Sequence, residues 1–159
     1  MRLIERVAAI TVRPYAERDF HVLVDAWHAT NVVSYPYVAQ HQQHTLADAQ
    51  GYFRDHVLAT CRVFVAELEA RMCAMLALEG SWIRQLAVFP RSRRRGVGSA
   101  LIAAAREISP AQLRLFTFQR NDVARAFYAQ QDFVPIAFGV SPAPESEPDV
   151  ELQWNAESS

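Results

Sequence analysis

The sequence has no lysine. All sixteen of its positive side chains are arginines, set against seventeen aspartates and glutamates, and the formal net charge is −1. Without lysine there is no Schiff-base former, no lysine general base and no side-chain amine for self-modification. The near balance of charge argues against a surface built to bind polyanions. Cysteine is scarce: Cys61 and Cys73 lie in apolar stretches and lack CxxC spacing. They read as buried reduced thiols, not as a disulfide or a metal pair. There is no signal-peptide pattern and no apolar run long enough to span a bilayer. A cytoplasmic, reducing location without membrane contact is expected. Glycine is sparse as well, with five in the chain. Two of the five, Gly96 and Gly98, follow directly on a run of arginines.

Of the 159 residues, 51% are hydrophobic and 11% aromatic. That is enough to bury a core, and one domain spanning residues 1–159 is expected. "AAITVRPY" alternates as a strand ending at Pro14. "ERDFHVLVDAWHAT" places Phe20, Leu23, Val24 and Trp27 on one helical face. "NVVSYPYVAQHQQ" breaks that pattern and reads as a loop with exposed aromatics. Thr45, with Asp48 three residues on, opens a second helix in the manner of a capping box. "RVFVAEL", "RMCAMLAL" and "WIRQLAVF" follow with short connections and predict an antiparallel meander. A helix from Gly98 stops at Ser109-Pro110, "LRLFTF" is a strand, and Asn121 caps a helix through Gln131. "FVPIAF", a Pro/Ser/Glu linker and "DVELQW" complete the chain. The expectation is a mixed α/β sheet of about seven strands with about four helices.

The segment "RSRRRGVGSALI" (91–102) packs four arginines into five residues ahead of the two glycines and an apolar run. A strand, an Arg/Gly turn and a helix start are the geometry of an anion site. Free N–H groups and the helix dipole attract negative charge, glycine lets the backbone approach, and arginine supplies forked donors. A pyrophosphate fits all three features. Neither the GxGxxG dinucleotide fingerprint nor the P-loop pattern is present. A solvated basic turn or a nucleic-acid patch would also use arginines, but no stacking aromatics interleave with these.

"QLAVFPRSRRRGVGSALI" resembles the acetyl-CoA signature of the GCN5-related N-acetyltransferase (GNAT) superfamily, Q/R-x-x-G-x-G/A. Arg93, Gly96 and Gly98 match it, after a strand in which Leu86, Val88 and Pro90 match L-x-V-x-P. "NDVARAFYAQQDF" resembles the second signature through Asn121, Ala124, Phe127, Tyr128 and Phe133. Asp132 stands where glycine is usual, in a turn whose left-handed conformation aspartate tolerates. The order of elements also agrees. The resemblance implies a GNAT fold splayed between strands 4 and 5, and an acetyl group carried by coenzyme A to a primary amine of a small molecule or peptide.

The resemblance also implies roles. Backbone groups near Leu86, Ala87 and Val88 would pair with the pantetheine arm. The backbone and side chains of Arg93, Arg94, Arg95, Gly96, Val97, Gly98 and Ser99 would cradle the pyrophosphate. Arg91 is either a solvated neighbour or a contact for the 3′-phosphate. Asn121 would cap its helix, touch the cofactor, or both, with Arg125 and Tyr128 beside it. Tyr128 would give a proton to the departing thiolate. The general base is Glu79, on the turn into the fourth strand, or a water relay, with Glu67 a weaker alternative. Trp27, Tyr35, Tyr37, Trp82 and Gln85 are expected around the acceptor, with His41 near them. His41 and His44 lack a third ligand, so no metal is expected. A homodimer through the last strands is compatible with "FVPIAF" and Trp154. A sensor or assembly protein that binds acyl-CoA without turnover stands as the alternative function.

Overall fold

A computed structural model describes residues 9–158. Its strands are β1 (Ile10–Pro14), β2 (Arg62–Leu68), β3 (Arg71–Glu79), β4 (Trp82–Val88), β5 (Gln112–Phe118), β6 (Val134–Val140) and β7 (Pro148–Asn155). The helices are α1 (Phe20–Ser34), α2 (Ala39–Gln43), α3 (Leu46–Tyr52), α4 (Leu58–Thr60), α5 (Val97–Ile108) and α6 (Asp122–Gln130). The seven strands form one sheet in the order β1-β2-β3-β4-β5-β7-β6. All neighbours are antiparallel except β4 and β5, which run parallel. The expected meander of β2, β3 and β4 is present.

At β3 the sheet is covered on both faces, which is why that strand reads as an unbroken apolar run. Ala74, Leu76 and Leu78 point toward α5, whose Leu101, Ile102 and Ala105 are fully buried. Met75 and Ala77 point the other way, with Val63 and Val65 of β2, onto Leu23, Val24 and Trp27 of α1 and Phe53. Each fully buried Leu or Ile contributes about 2 kcal/mol of transfer free energy, so these two layers carry the fold.

The one parallel pairing is short. Trp82 and Arg114 form the single register pair between β4 and β5, and the Arg114 N–H donates to the Ser81 carbonyl at 2.9 Å. Beyond it the two strands diverge, so backbone groups of Gln85–Val88 and Leu115–Phe118 face a gap without ladder partners. β4 remains fixed from its other edge, where Gln85, Leu86, Ala87 and Val88 pair with β3. The gap is the splay that the resemblance implies.

Several local expectations hold. Thr45 and Asp48 form a reciprocal capping box. The Asn121 side chain accepts from the Ala124 N–H at 3.2 Å. Asp132 adopts φ 67°, the left-handed conformation expected of it. Others need correction. The segment read as a loop after Thr30 is largely helical: α1 continues to Ser34, and α2 follows after a break at Pro36. Gln42 ties the two together by donating to the Val32 carbonyl at 2.9 Å. The helix opened by Thr45 contains a π-helical turn (Phe53–Val57), closed by the Leu58 N–H donating to the Phe53 carbonyl. Phe53 and Val57 are both buried in the core. Cys73 is buried as expected, but Cys61 is half-exposed. Ala8, read into the first strand, lies outside the described residues.

Candidate active site

β4 ends at Val88 and the chain turns through Pro90–Ser92 into α5. Ser92 and Arg93 donate back to Phe89 and Pro90, and the next donor along the chain is Ala100, to Gly96. Among the described residues, the N–H groups from Arg94 through Ser99 therefore have no acceptor within the protein. Six consecutive free donors at the start of a twelve-residue helix form an anion nest. Two left-handed residues shape it, Arg94 at φ 64° and Gly96 at φ 81°. Gly98 is small for a different reason: a Cβ there would lie 2.9 Å from Cζ of Phe127. One glycine bends the loop, and the other lets α6 pack against α5.

None of Arg91, Arg93, Arg94 and Arg95 forms an ion pair among the described residues. Arg93 reaches across to donate to Ser34 Oγ at 2.8 Å, joining the loop to the end of α1. Arg91, Arg94 and Arg95 are exposed. Four unpaired guanidiniums around six free amides suit a group carrying more than one negative charge.

Tyr128 sits on α6 at the inner side of this loop, buried against Phe127 and Phe133. Burial holds its hydroxyl protonated well above the ordinary phenol range, and the nearby Tyr35 phenol pushes the same way. Tyr35 follows the last turn of α1, on the opposite face of the sheet from α6, so the splay brings the two phenols together. Sequence spacing gives no sign of this pairing. Asn121 holds the start of α6, and Arg125 donates to the Gln119 carbonyl at 3.1 Å, bracing the same turn.

On the α1 side of the sheet the helices stop short of β5, β7 and β6, leaving an open cleft of about 610 Å³. Tyr35 roofs it, with Arg84, Phe116 and Phe118 on one side and β6 on the other. Tyr35 packs edge-on to Phe118 at 5.6 Å and leans on His41 at 5.5 Å. Burial keeps His41 neutral by lowering its pKa. Tyr37 meets Phe118 at 5.8 Å beneath Arg120, and its hydroxyl is buried without a partner. Trp82 stacks on Phe116 at 5.2 Å, with the guanidiniums of Arg84 and Arg114 against it. Asp149 of β7 lines the same cleft with 8% exposure. Its isolation in the sequence hid it; only the alternation of "DVELQW" points to its face.

The structure separates other expected residues from this cleft. Trp27 is core, 5% exposed, with its Nε1 donating to Gln85 at 3.3 Å. Helical spacing put it on the buried face of α1, and Gln85 turns toward it. Glu79 is half-exposed and bound to Arg84 at 2.9 Å. It lies opposite Trp82, at the closed end of the splay, about 20 Å of strand from Val88. Glu67 is held by Arg13 at 2.7 Å beside β1. No cluster of three metal-ligating side chains occurs among the described residues.

Comparison with known proteins agrees with this geometry. Residues 59–135 match the family model of the acetyltransferase (GNAT) domain, which covers β2 through the start of β6. The chain is 24% identical over 123 residues to the peptidyl-lysine N-acetyltransferase YiaC of Escherichia coli, covering 77% of this chain and 82% of that one. The apo solution structure of Escherichia coli YjaB superposes with a TM-score of 0.76 at 20% identity, over 92% of this chain and 97% of the other. Spermidine N-acetyltransferase from Vibrio cholerae, in complex with CoA and spermine, gives 0.70 at 15% identity, over 93% and 96%. The segment from β2 to the start of β6 is similar to the acetyltransferase (GNAT) domain, and the fold of the described residues is similar to that of these solved structures.

Proposed function

We propose that this protein is an acetyl-CoA-dependent N-acetyltransferase that acylates a primary amine by direct attack on the thioester. The observation that carries the reading is the run of six acceptor-less amides from Arg94 to Ser99, ringed by unpaired arginines at the open end of the β4–β5 splay. That site suits the diphosphate of coenzyme A, and the gap beside Leu86–Val88 suits its arm.

When bound, the cofactor supplies an activated acyl group. Arg93, Arg94 and Arg95 hold the diphosphate with the amides through Ser99, and the unpaired backbone of β4 aligns the arm. Asn121 and Arg125 fix the turn that presents α6 to it. The amine nitrogen bonds to the acyl carbon as the carbon–sulfur bond breaks. Tyr128, kept protonated by burial, gives its proton to the sulfur. The amine loses its proton to water, since Glu79 is engaged by Arg84 at the far end of β4. Tyr35, Tyr37 and Trp82 lie on the acceptor side, while Gln85 is engaged by Trp27. A small-molecule amine fits a cleft of about 610 Å³.

The reading extends to one domain over residues 1–159 without nucleic-acid or membrane partners. A reducing cytoplasmic compartment suits the two free cysteines. No helix among the described residues is long and apolar enough to cross a membrane. A homodimer would cover β6, an edge strand on which Val134, Ile136, Phe138 and Val140 are exposed.

Calorimetric titration with acetyl-CoA, and with ATP as the control, tests the proposal, followed by an acetylation assay over a panel of primary amines. Tight binding of acetyl-CoA with much weaker ATP, and acetylation of an amine, are expected. No binding at millimolar acetyl-CoA overturns the cofactor site. Binding without acetylation of any amine replaces the enzyme with a non-catalytic acyl-CoA sensor.

A further inference from the structure

Asp149 is a buried carboxylate without a counter-ion among the described residues. It is 8% exposed, yet among those residues its side chain meets no donor beyond its own backbone N–H. Several carboxylates around the sheet are matched: Glu151 by Arg114, Glu147 by Arg120, Glu79 by Arg84, Glu67 and Asp19 by Arg13. Burying a charge without a counter-ion is costly, and no arginine among the described residues pairs with this one. The surroundings are equally specific. Asp149 pairs across β7 with Phe118 on one side and Gly139 on the other. A Cβ on Gly139 would lie 3.4 Å from Oδ1 of Asp149, so glycine keeps that flank of the carboxylate open. The open side faces the 610 Å³ cleft, walled by the aromatic side chains of Tyr35, Phe116 and Phe118. A carboxylate at the floor of an aromatic-walled cleft is a receptor for an organic cation.

We infer that Asp149 anchors a second cationic group of the acceptor, one that is not acetylated, so that the substrate is a diamine-like small molecule. The inference rests on the acetyltransferase reading for its reacting nitrogen, and on geometry for the rest. The reacting nitrogen must reach the splay between β4 and β5. Asp149 lies on β7, with β5 between it and that gap, so the two positions are at least one strand spacing of about 5 Å apart. A carboxylate beside the reacting nitrogen would hold it as ammonium, whereas attack needs the free base. Beside a second nitrogen the same carboxylate is an anchor. The rings of Phe116 and Phe118 lie between the two positions, where a short methylene chain would rest.

Equilibrium binding tests this without relying on turnover. Putrescine and cadaverine are titrated against the full chain in the presence of coenzyme A, each beside the monoamine of equal length, butylamine or pentylamine. The same titrations are run on Asp149→Asn. The diamines should bind the unaltered protein at least thirtyfold more tightly than the monoamines. Asp149→Asn should erase most of that preference, leaving monoamine and coenzyme A affinities within about twofold. Its melting temperature should hold or rise, because a charge without a counter-ion has been removed. Equal affinity for diamine and monoamine, absence of diamine binding, or an equal loss of both in the variant overturns the inference. So does a lower melting temperature, which would make the carboxylate a structural acceptor. Should the diamines bind as expected and never be acetylated, the enzyme reading fails while the anchor stands.

Discussion

In the loop from Arg91 to Ser99 the charge is positive, contiguous in sequence and mostly open to solvent, and six backbone donors stand beside it without acceptors. On β7 the unpaired charge is one carboxylate, Asp149, 8% exposed, at a cleft lined by Tyr35 after α1 and by residues of β4, β5 and β6. Exposed guanidiniums keep their hydration and cost the fold little, so four can crowd together and wait for an anion. A buried carboxylate has given up its hydration already: Asp19 is matched by Arg13, whereas the cost of Asp149 stands until a cation arrives. Charge meant for a large anion can therefore be displayed, whereas charge meant to select among small cations is enclosed.

The sharpest way to break the first half of that contrast is Gly96→Glu. The φ of 81° strains any side chain there by about 1–3 kcal/mol, and the added carboxylate stands among the free amides. Acetyl-CoA affinity should fall by on the order of a thousandfold in calorimetric titration, while circular dichroism stays native. Affinity within tenfold would remove the diphosphate from this loop.

Tyr128→Phe is expected to come next. General acid catalysis contributes roughly a hundredfold or more, so kcat should fall by about that factor with little change in KM for acetyl-CoA. Burial raises the phenol's pKa beyond the usual range. The acid form therefore persists as pH rises, and the kcat profile should show no descending limb from this group up to about pH 10. A limb near neutrality that disappears in the variant would contradict the burial argument.

The anion side was legible in the sequence because its parts are neighbours. Arg93, Gly96 and Gly98 lie within six residues, and Asn121, Tyr128 and Phe133 on one short helix and its exit. Spacing along a helix or turn translates directly into placement. The cation side was not legible, because Tyr35, Phe116 and Asp149 become neighbours only when the sheet order β5-β7-β6 is formed. No spacing rule joins positions so far apart. The same limit explains Trp27 and Glu79: residue type marked both as functional, but helical register buries one, and the β3–β4 turn places the other at the closed end of the splay. The π-helical turn at Phe53–Val57 escaped for a local reason, since one extra residue changes the period that a helix pattern assumes.

The two carboxylates Asp19 and Asp149 extend the comparison to stability. Arg13 binds Asp19 and lowers its pKa, so Asp19 stabilises the fold above the unfolded carboxylate range and loses that contribution as pH falls through its own lower pKa. Desolvation raises the pKa of Asp149, so the native state binds its proton more readily than the unfolded chain does, and ionisation costs stability as pH rises. Urea unfolding of Asp149→Asn should show a gain of about 1–2 kcal/mol at pH 7 that shrinks as pH falls toward 4. Asp19→Asn should show a loss at pH 7 that shrinks in the same direction. Parallel behaviour of the two variants would mean that Asp149 is paired after all.

The smallest expected effect belongs to Glu79→Gln. Its ion pair with Arg84 is 41% exposed on both sides, and pairs of that kind contribute about 0.2–1 kcal/mol. Removing the charge frees Arg84, which also leans on Trp82 at 4.9 Å, so some repacking at the cleft rim should follow. Since Glu79 stands at the closed end of β4, kcat should stay within about twofold and any change should appear in the acceptor KM. A hundredfold fall in kcat, with the acceptor KM unchanged, would instead make Glu79 the base. The β3–β4 turn would then have to close on the splay during turnover, and the proton route would no longer run through water alone.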